Sequence, residues 1–177
     1  MLEVVLVEPQ IANNTGNIIR VCANAGCRLH LVRPLGFTLD DAALRRGGLD
    51  YHELTDTQVW DTWEDCRAAL GGERPWFATT SRVPSRRYDD VDYRPGDVVA
   101  FGCEAAGLGE ERLAEFPPTR RLHIPMRPWN RSLNLANAVS VVVYEAWRQR
   151  DFAGAATGTF QESLRPELEA GLRVDRD

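Results

Sequence analysis

Lysine is absent from this chain: all 21 basic residues are arginine, set against 26 acidic ones, and the formal net charge is −5. That balance excludes a strong nonspecific polyanion binder. Any contact with nucleic acid has to come from a local basic patch, or from two patches combined in a dimer. Guanidinium groups suit bidentate phosphate contacts, although exclusive use of Arg follows as readily from GC-rich coding. Four cysteines, Cys22, Cys27, Cys66 and Cys103, form no C-x-x-C pair, and His30, His52 and His123 are scattered. This argues against a zinc site and leaves free thiols, buried or half-buried. No apolar run approaches the roughly 18 residues that cross a bilayer. The start, Met1-Leu2-Glu3-Val4, has no basic segment and no leader cleavage pattern. A cytoplasmic protein with no metal and no membrane partner is expected.

What is present is a chain of 177 residues, 44% apolar, of a size suited to one domain. Leu2 to Val7 predicts a buried strand. A helix is expected from N-cap residues near Asn13-Asn14-Thr15 to Gly26. Further strands are expected at Cys27–Val32, Trp76–Thr79, Asp97–Phe101 and Arg121–Ile124, with a short one at Tyr51–Leu54. Helices are expected at Asp40–Arg46, Asp61–Leu70, around Leu113, and from Leu133 to Arg150, with Ser132 as the cap of the last. Alternating strands and helices predict an α/β fold with a mostly parallel sheet flanked by helices. Residues 1–154 form the domain; residues 155–177 read as a tail or a peripheral helix (Phe160 to Leu172).

Ligands in open α/β sheets sit beyond the carboxyl ends of the strands, and four such ends are unusual. Asn13, Asn17, Arg20 and Asn24 share one helix face, where a solvated surface is normally rich in Glu and Lys. A site for a polar anion and a plain polar face explain this equally well. Phe77-Ala78-Thr79-Thr80 taken alone is an ordinary strand end. Phe101-Gly102-Cys103-Glu104-Ala105-Ala106-Gly107-Leu108-Gly109 is a glycine-rich turn that fits a dinucleotide fingerprint poorly; Glu104 is the residue that turn chemistry does not explain. After Ile124-Pro125-Met126, Asn134 and Asn137 stand in early helix positions that usually hold Glu or Gln. The helix that follows is apolar around most of its circumference. One face can pack on the sheet, and the other fits a second subunit better than a monomer core.

Taken together, these segments resemble the SPOUT methyltransferases, and the stretch from Leu2 to Gly154 resembles the minimal type that 2′-O-methylates the wobble nucleotide of tRNA. The resemblance rests on N-N-T-G-N-I-I-R (Asn13 to Arg20), L-D-Y-H-E (Leu49 to Glu53), F-G-C-E-A-A-G-L (Phe101 to Leu108), I-P-M-R-P-W-N-R-S-L-N-L-A-N-A-V (Ile124 to Val139) and Y-E-A-W-R (Tyr144 to Arg148). It implies a deep C-terminal trefoil knot, a homodimer and S-adenosylmethionine as methyl donor. Cofactor contacts are implied at Thr79, Gly102, Ile124, Met126, Ser132 and Leu133. The implied catalytic set is Arg20, with Asn14 beside it, Glu104, Ser132 and Asn134, and Tyr144 is implied on the dimer helix. RNA phosphate contacts are expected from Arg20, Arg82, Arg86, Arg87, Arg127 and Arg131.

Arg is essentially never deprotonated in proteins. Arg20 is therefore expected to clamp a phosphate or stabilise a developing alkoxide rather than act as base. Two positions depart from the family pattern: Ala106 stands where a basic residue is usual, and Cys103 where Pro or Ser is commoner. The alternatives are a related enzyme acting at another tRNA or rRNA position, or a catalytically weakened RNA-binding module. A flavodoxin-like signalling domain would need an acidic pocket or flavin loops that the sequence lacks.

Overall fold

The computed structural model describes residues 1–38, 57–72 and 74–156. Its strands are β1 (Glu3–Val7), β2 (Arg28–Val32), β3 (Thr57–Trp60), β4 (Trp76–Thr79), β5 (Arg86–Arg87), β6 (Val98–Phe101) and β7 (Arg121–His123). Its helices are α1 (Ala12–Ala25), α2 (Trp63–Leu70), α3 (Gly109–Ala114) and α4 (Leu135–Arg148). The seven strands form one sheet in the order β3-β2-β1-β6-β4-β7-β5, and every pairing is parallel. The expected α/β class and mostly parallel sheet are therefore observed.

Both faces of the sheet are covered at its centre, which is why β1 and β6 are nearly continuous apolar runs. Val4, Leu6, Leu29, Leu31, Val99 and Phe101 face α1 and α4, where Ile18, Cys22, Val139 and Val143 complete the layer. Val5, Val7, Val32, Ala78 and Ala100 point the other way, onto Trp63 and Cys66 of α2 and Leu113 of α3. Each such aliphatic side chain contributes about 1.5–3 kcal/mol by burial. The β-branched run of α4 is thus held by packing, not by helix propensity. Cys22, Cys27 and Cys66 are buried free thiols; burial pushes Cys27 to about 11 and Cys66 to about 12.

Several expectations are corrected. β3 and β5 were not foreseen: Thr-Gln-Val-Trp lacks alternation, and Arg86–Arg87 is an exposed pair at the sheet edge. α1 begins at Ala12 with Ile11 as its N-cap, so Asn13 to Thr15 lie inside the first turn. α4 is capped by Asn134 and not by Ser132. The expected elements at Asp40–Arg46 and Tyr51–Leu54, the Leu49–Glu53 motif and the Phe160–Leu172 helix lie outside the described residues.

At the amino ends of the strands, Glu3 is 4% exposed. His30 Nε2 meets its Oε2 at 3.0 Å, and Arg74 and Arg28 meet its Oε1 at 3.0 and 3.3 Å. The Trp60 indole donates to His30 Nδ1 at 3.2 Å, which directs the Nε2 proton at Glu3. Burial pushes the Glu3 carboxyl up, but the bond from His30 and the two guanidinium groups outweigh it, holding the group below its ordinary value near 4.5. A carboxyl depressed by folding contributes stability that is full above about pH 4.5 and is lost as pH falls through the folded value. Urea midpoints measured across acid pH should fall steeply for the parent below pH 4.5 and more gently for Glu3→Gln, which has no such proton to take up.

Candidate active site

The strand order reverses direction at β1, with β2 and β3 on one side and β6 onward on the other. Beyond the carboxyl ends of β1, β6, β4 and β7 lies a cavity of about 760 Å³, within the size range of small-molecule sites. Phe101, Leu113, Leu122, Ile124, Leu135 and Val142 give it an apolar wall. Residues 102–108, Ile124, Met126 and Arg131 to Asn134 complete it without regular helix or strand, so backbone amides and carbonyls run along the lining.

Gly102 explains how the wall closes. A Cβ placed on it would lie 1.8 Å from the Gly107 carbonyl carbon and 2.0 Å from the Leu108 nitrogen. The loop therefore folds back on itself at van der Waals contact, and only glycine fits. Gly107 has a different reason: its φ is +66°, with open space around the Cβ position, and its N–H donates to the Cys103 carbonyl at 2.9 Å. The loop 103–107 between these glycines presents Glu104 and the exposed Ala106.

Glu104 answers the question left by its sequence context. Its carboxylate accepts from the backbone N–H of Gln10 (2.8 Å) and of Ile11 (3.2 Å), and from Asn14 Nδ2 (2.9 Å). A residue more than 90 positions away thus caps α1, and its negative charge sits at the positive end of the helix. Asn14, 7% exposed, accepts from Asn134 Nδ2 at 2.9 Å. Asn134 Oδ1 in turn accepts from the N–H groups of Ala136 (2.9 Å) and Asn137 (3.3 Å). One line of hydrogen bonds, Glu104–Asn14–Asn134, therefore joins the first turns of α1 and α4 across the cavity mouth. The asparagines that cost helix propensity are needed because each donates and accepts at once.

Eleven of the residues expected at the site line this cavity: Asn14, Glu104, Asn134, Ser132, Thr79, Gly102, Ile124, Met126, Leu133, Arg82 and Arg131. Arg20, Arg86, Arg87, Arg127 and Tyr144 do not. Arg20 stands on the exposed polar face of α1 with Asn13, Asn17 and Asn24. Six residues at about 100° each turn it roughly 240° from Asn14, so the two are not side by side. Arg86 donates to the Asp90 carbonyl, Arg87 is paired with Asp89, and Arg82 with Glu110 at 2.8 Å. Tyr144 is 42% exposed on α4. Tyr88, Cys103 and Ala138 line the cavity and were not anticipated there. Ala138 and Val142 follow Leu135 at helical spacing, a signal that was legible; Tyr88 depends on the unforeseen β5. Among the described residues, no group of three His, Cys, Asp or Glu could hold a metal ion, and no helix is long and apolar enough to cross a membrane.

Comparison with known proteins agrees with this arrangement. The SpoU rRNA Methylase family matches residues 1–144. A tRNA (cytidine(34)-2'-O)-methyltransferase of Methylovorus glucosotrophus (strain SIP3-4) is 54% identical over 155 residues, 88% of this chain and 99% of the relative. A solved structure presented as "Structural insights into the 2-OH methylation of C/U34 on tRNA" superposes with a TM-score of 0.80 at 43% identity, covering 86% of this chain and 97% of its own. An AdoMet-bound rRNA methyltransferase from Sinorhizobium meliloti superposes at 0.67 with 27% identity, over 83% of this chain and 55% of its own. The chain belongs to the SpoU methylase family, with the fold of the SPOUT methyltransferases.

Proposed function

We propose that this protein transfers a methyl group from S-adenosylmethionine to the ribose 2′-hydroxyl of nucleotide 34 of tRNA, a cytidine or a modified uridine. The observation that carries the reading is the tight fold-back at Gly102 beside the Glu104–Asn14–Asn134 line, in a chain whose relative of that name is matched over 99% of its length.

The cavity suits the cofactor: its volume is right for a nucleoside-sized ligand, its wall is apolar, and its carboxylate, Glu104, is already engaged by three donors. S-Adenosylmethionine, when bound, supplies an electrophilic methyl group on a sulfonium. Thr79, Gly102, Ile124, Met126, Ser132 and Leu133 would hold it, largely through backbone groups. The Glu104–Asn14–Asn134 line fixes two helix ends and so the position of the ribose. Arg131 at the lining stabilises phosphate or developing alkoxide charge, and Arg20 on the outer face of α1 takes an RNA phosphate; the proton leaves to phosphate or water.

We further infer a deep trefoil knot in the C-terminal part, supported by the family match and by α4 packing against α1. A homodimer is supported by the apolar surface of α4, where Tyr144 stacks edge-on to Trp147 at 5.6 Å.

The test is to incubate the purified protein with methyl-labelled S-adenosylmethionine and total tRNA lacking this modification, then map the labelled ribose. Label at nucleotide 34 is expected. Label elsewhere overturns the position and keeps the chemistry, and cofactor binding without any transfer favours a weakened RNA-binding module.

A further inference from the structure

Trp129 is 99% exposed, whereas Trp63 and Trp76 are 3% and 6% exposed and Trp60 and Trp147 are half-buried. It is also in the wrong place for its shape. Asn130 N–H donates to the Arg127 carbonyl at 3.3 Å, closing the turn Arg127-Pro128-Trp129-Asn130, and Trp129 has φ +79°. Proline second and positive φ third is the pattern of a type II turn, whose third residue is ordinarily Gly or Asn. A large apolar ring thus occupies a glycine position and gains no packing there. Both features oppose stability, so what they serve has to be sought outside the fold.

The surroundings of the ring say what it meets. Met126 and Arg131 line the cavity on either side of the turn, so the indole stands at the lip of the site. Arg127 and Arg131 are exposed and have no ion pair or hydrogen bond from their guanidinium groups to any described residue, whereas Arg82, Arg86 and Arg87 are each paired. In a chain of net charge −5, a bare indole between two uncommitted cations is complementary to a flat π face between two anions. That is an unpaired nucleobase with its flanking phosphates. Bases inside a duplex are stacked on one another and offer no free face.

We propose that Trp129 is the stacking platform for an unpaired base of the RNA, with Arg127 and Arg131 taking the phosphates on either side. The proposal rests on RNA being the substrate, and it names how a single-stranded loop is told from a helix. Every base has a π face, so the platform adds affinity and register without reading sequence.

The experiment is a titration of the protein, saturated with S-adenosylhomocysteine, with a short RNA stem-loop and with a blunt duplex of the same stem. Indole fluorescence, Kd, Tm and sedimentation are read for the parent, W129G and W129F. The stem-loop should quench the parent's fluorescence. W129G should bind it on the order of tenfold more weakly, leave duplex binding unchanged and melt no lower than the parent, since glycine suits the turn. W129F should keep most of the affinity. Equal stem-loop Kd for the parent and W129G overturns the proposal. So does weakened self-association of W129G at unchanged RNA affinity per protomer, which makes the ring a contact between copies. Binding here does not depend on transfer: a parent that stacks the loop but methylates another nucleotide overturns the assignment to nucleotide 34 and leaves the platform standing.

Discussion

Gly102→Ala is expected to lose about 3 kcal/mol of stability, at the upper end of overpacking costs, and with it S-adenosylmethionine binding. The added methyl would lie 1.8 Å from one backbone atom and 2.0 Å from another, and neither is a side-chain end that can swing away. Relief requires parting the two chain segments whose contact makes the cavity wall. For a chain of this length, a loss of 3 kcal/mol lowers Tm by roughly 6–12 °C. Gly107→Ala is the control. Its Cβ meets nothing within 4 Å, so it should cost only the left-handed backbone penalty of about 1–2 kcal/mol and retain binding. Calorimetric melting and titration of the two variants with S-adenosylmethionine check both. Equal behaviour would mean that the fold-back relaxes freely.

Glu104→Ala should remove about 2 kcal/mol, as expected for hydrogen bonds to a charged group, and should reduce methyl transfer on the order of a hundredfold, the scale of an ångström of misplacement. It strips acceptors from Gln10, Ile11 and Asn14 together. A second variant separates helix capping from positioning. Asn134→Asp keeps an acceptor for Ala136 and Asn137 at the start of α4 but loses the donor to Asn14 Oδ1. Its melting should stay near the parent's while kcat falls with Glu104→Ala. Loss of activity in Glu104→Ala with full activity in Asn134→Asp would confine the role of Glu104 to capping α1.

The sheet was legible because a strand covered on both faces has to be largely apolar: β1, β2, β4 and β6 stand out as such runs. β5 did not, because two exposed arginines carry no burial signal. The cavity residues were legible mainly through family resemblance, since Gly102 and Ile124 serve by backbone shape and close approach, which composition does not register. Helix starts were misplaced for a physical reason. Cap preferences are local, and α1 is capped by a side chain from 90 residues downstream. Arg20 and Asn14 looked adjacent in the motif, but the helix turns them onto different faces.

That long-range cap, with β1 placed between β2 and β6, bears on how the chain is made. Glu3 opposes Val98 in the central pairing, so the first strand leaves the ribosome well before its second neighbour exists. At about 5–20 residues per second, β1 waits on the order of 5–20 s with one edge unpaired, beside a helix whose first turn lacks its carboxylate. The central pairing of the sheet then waits until more than half of the chain has been made, and the nascent half-sheet is the form of this protein most in need of a chaperone.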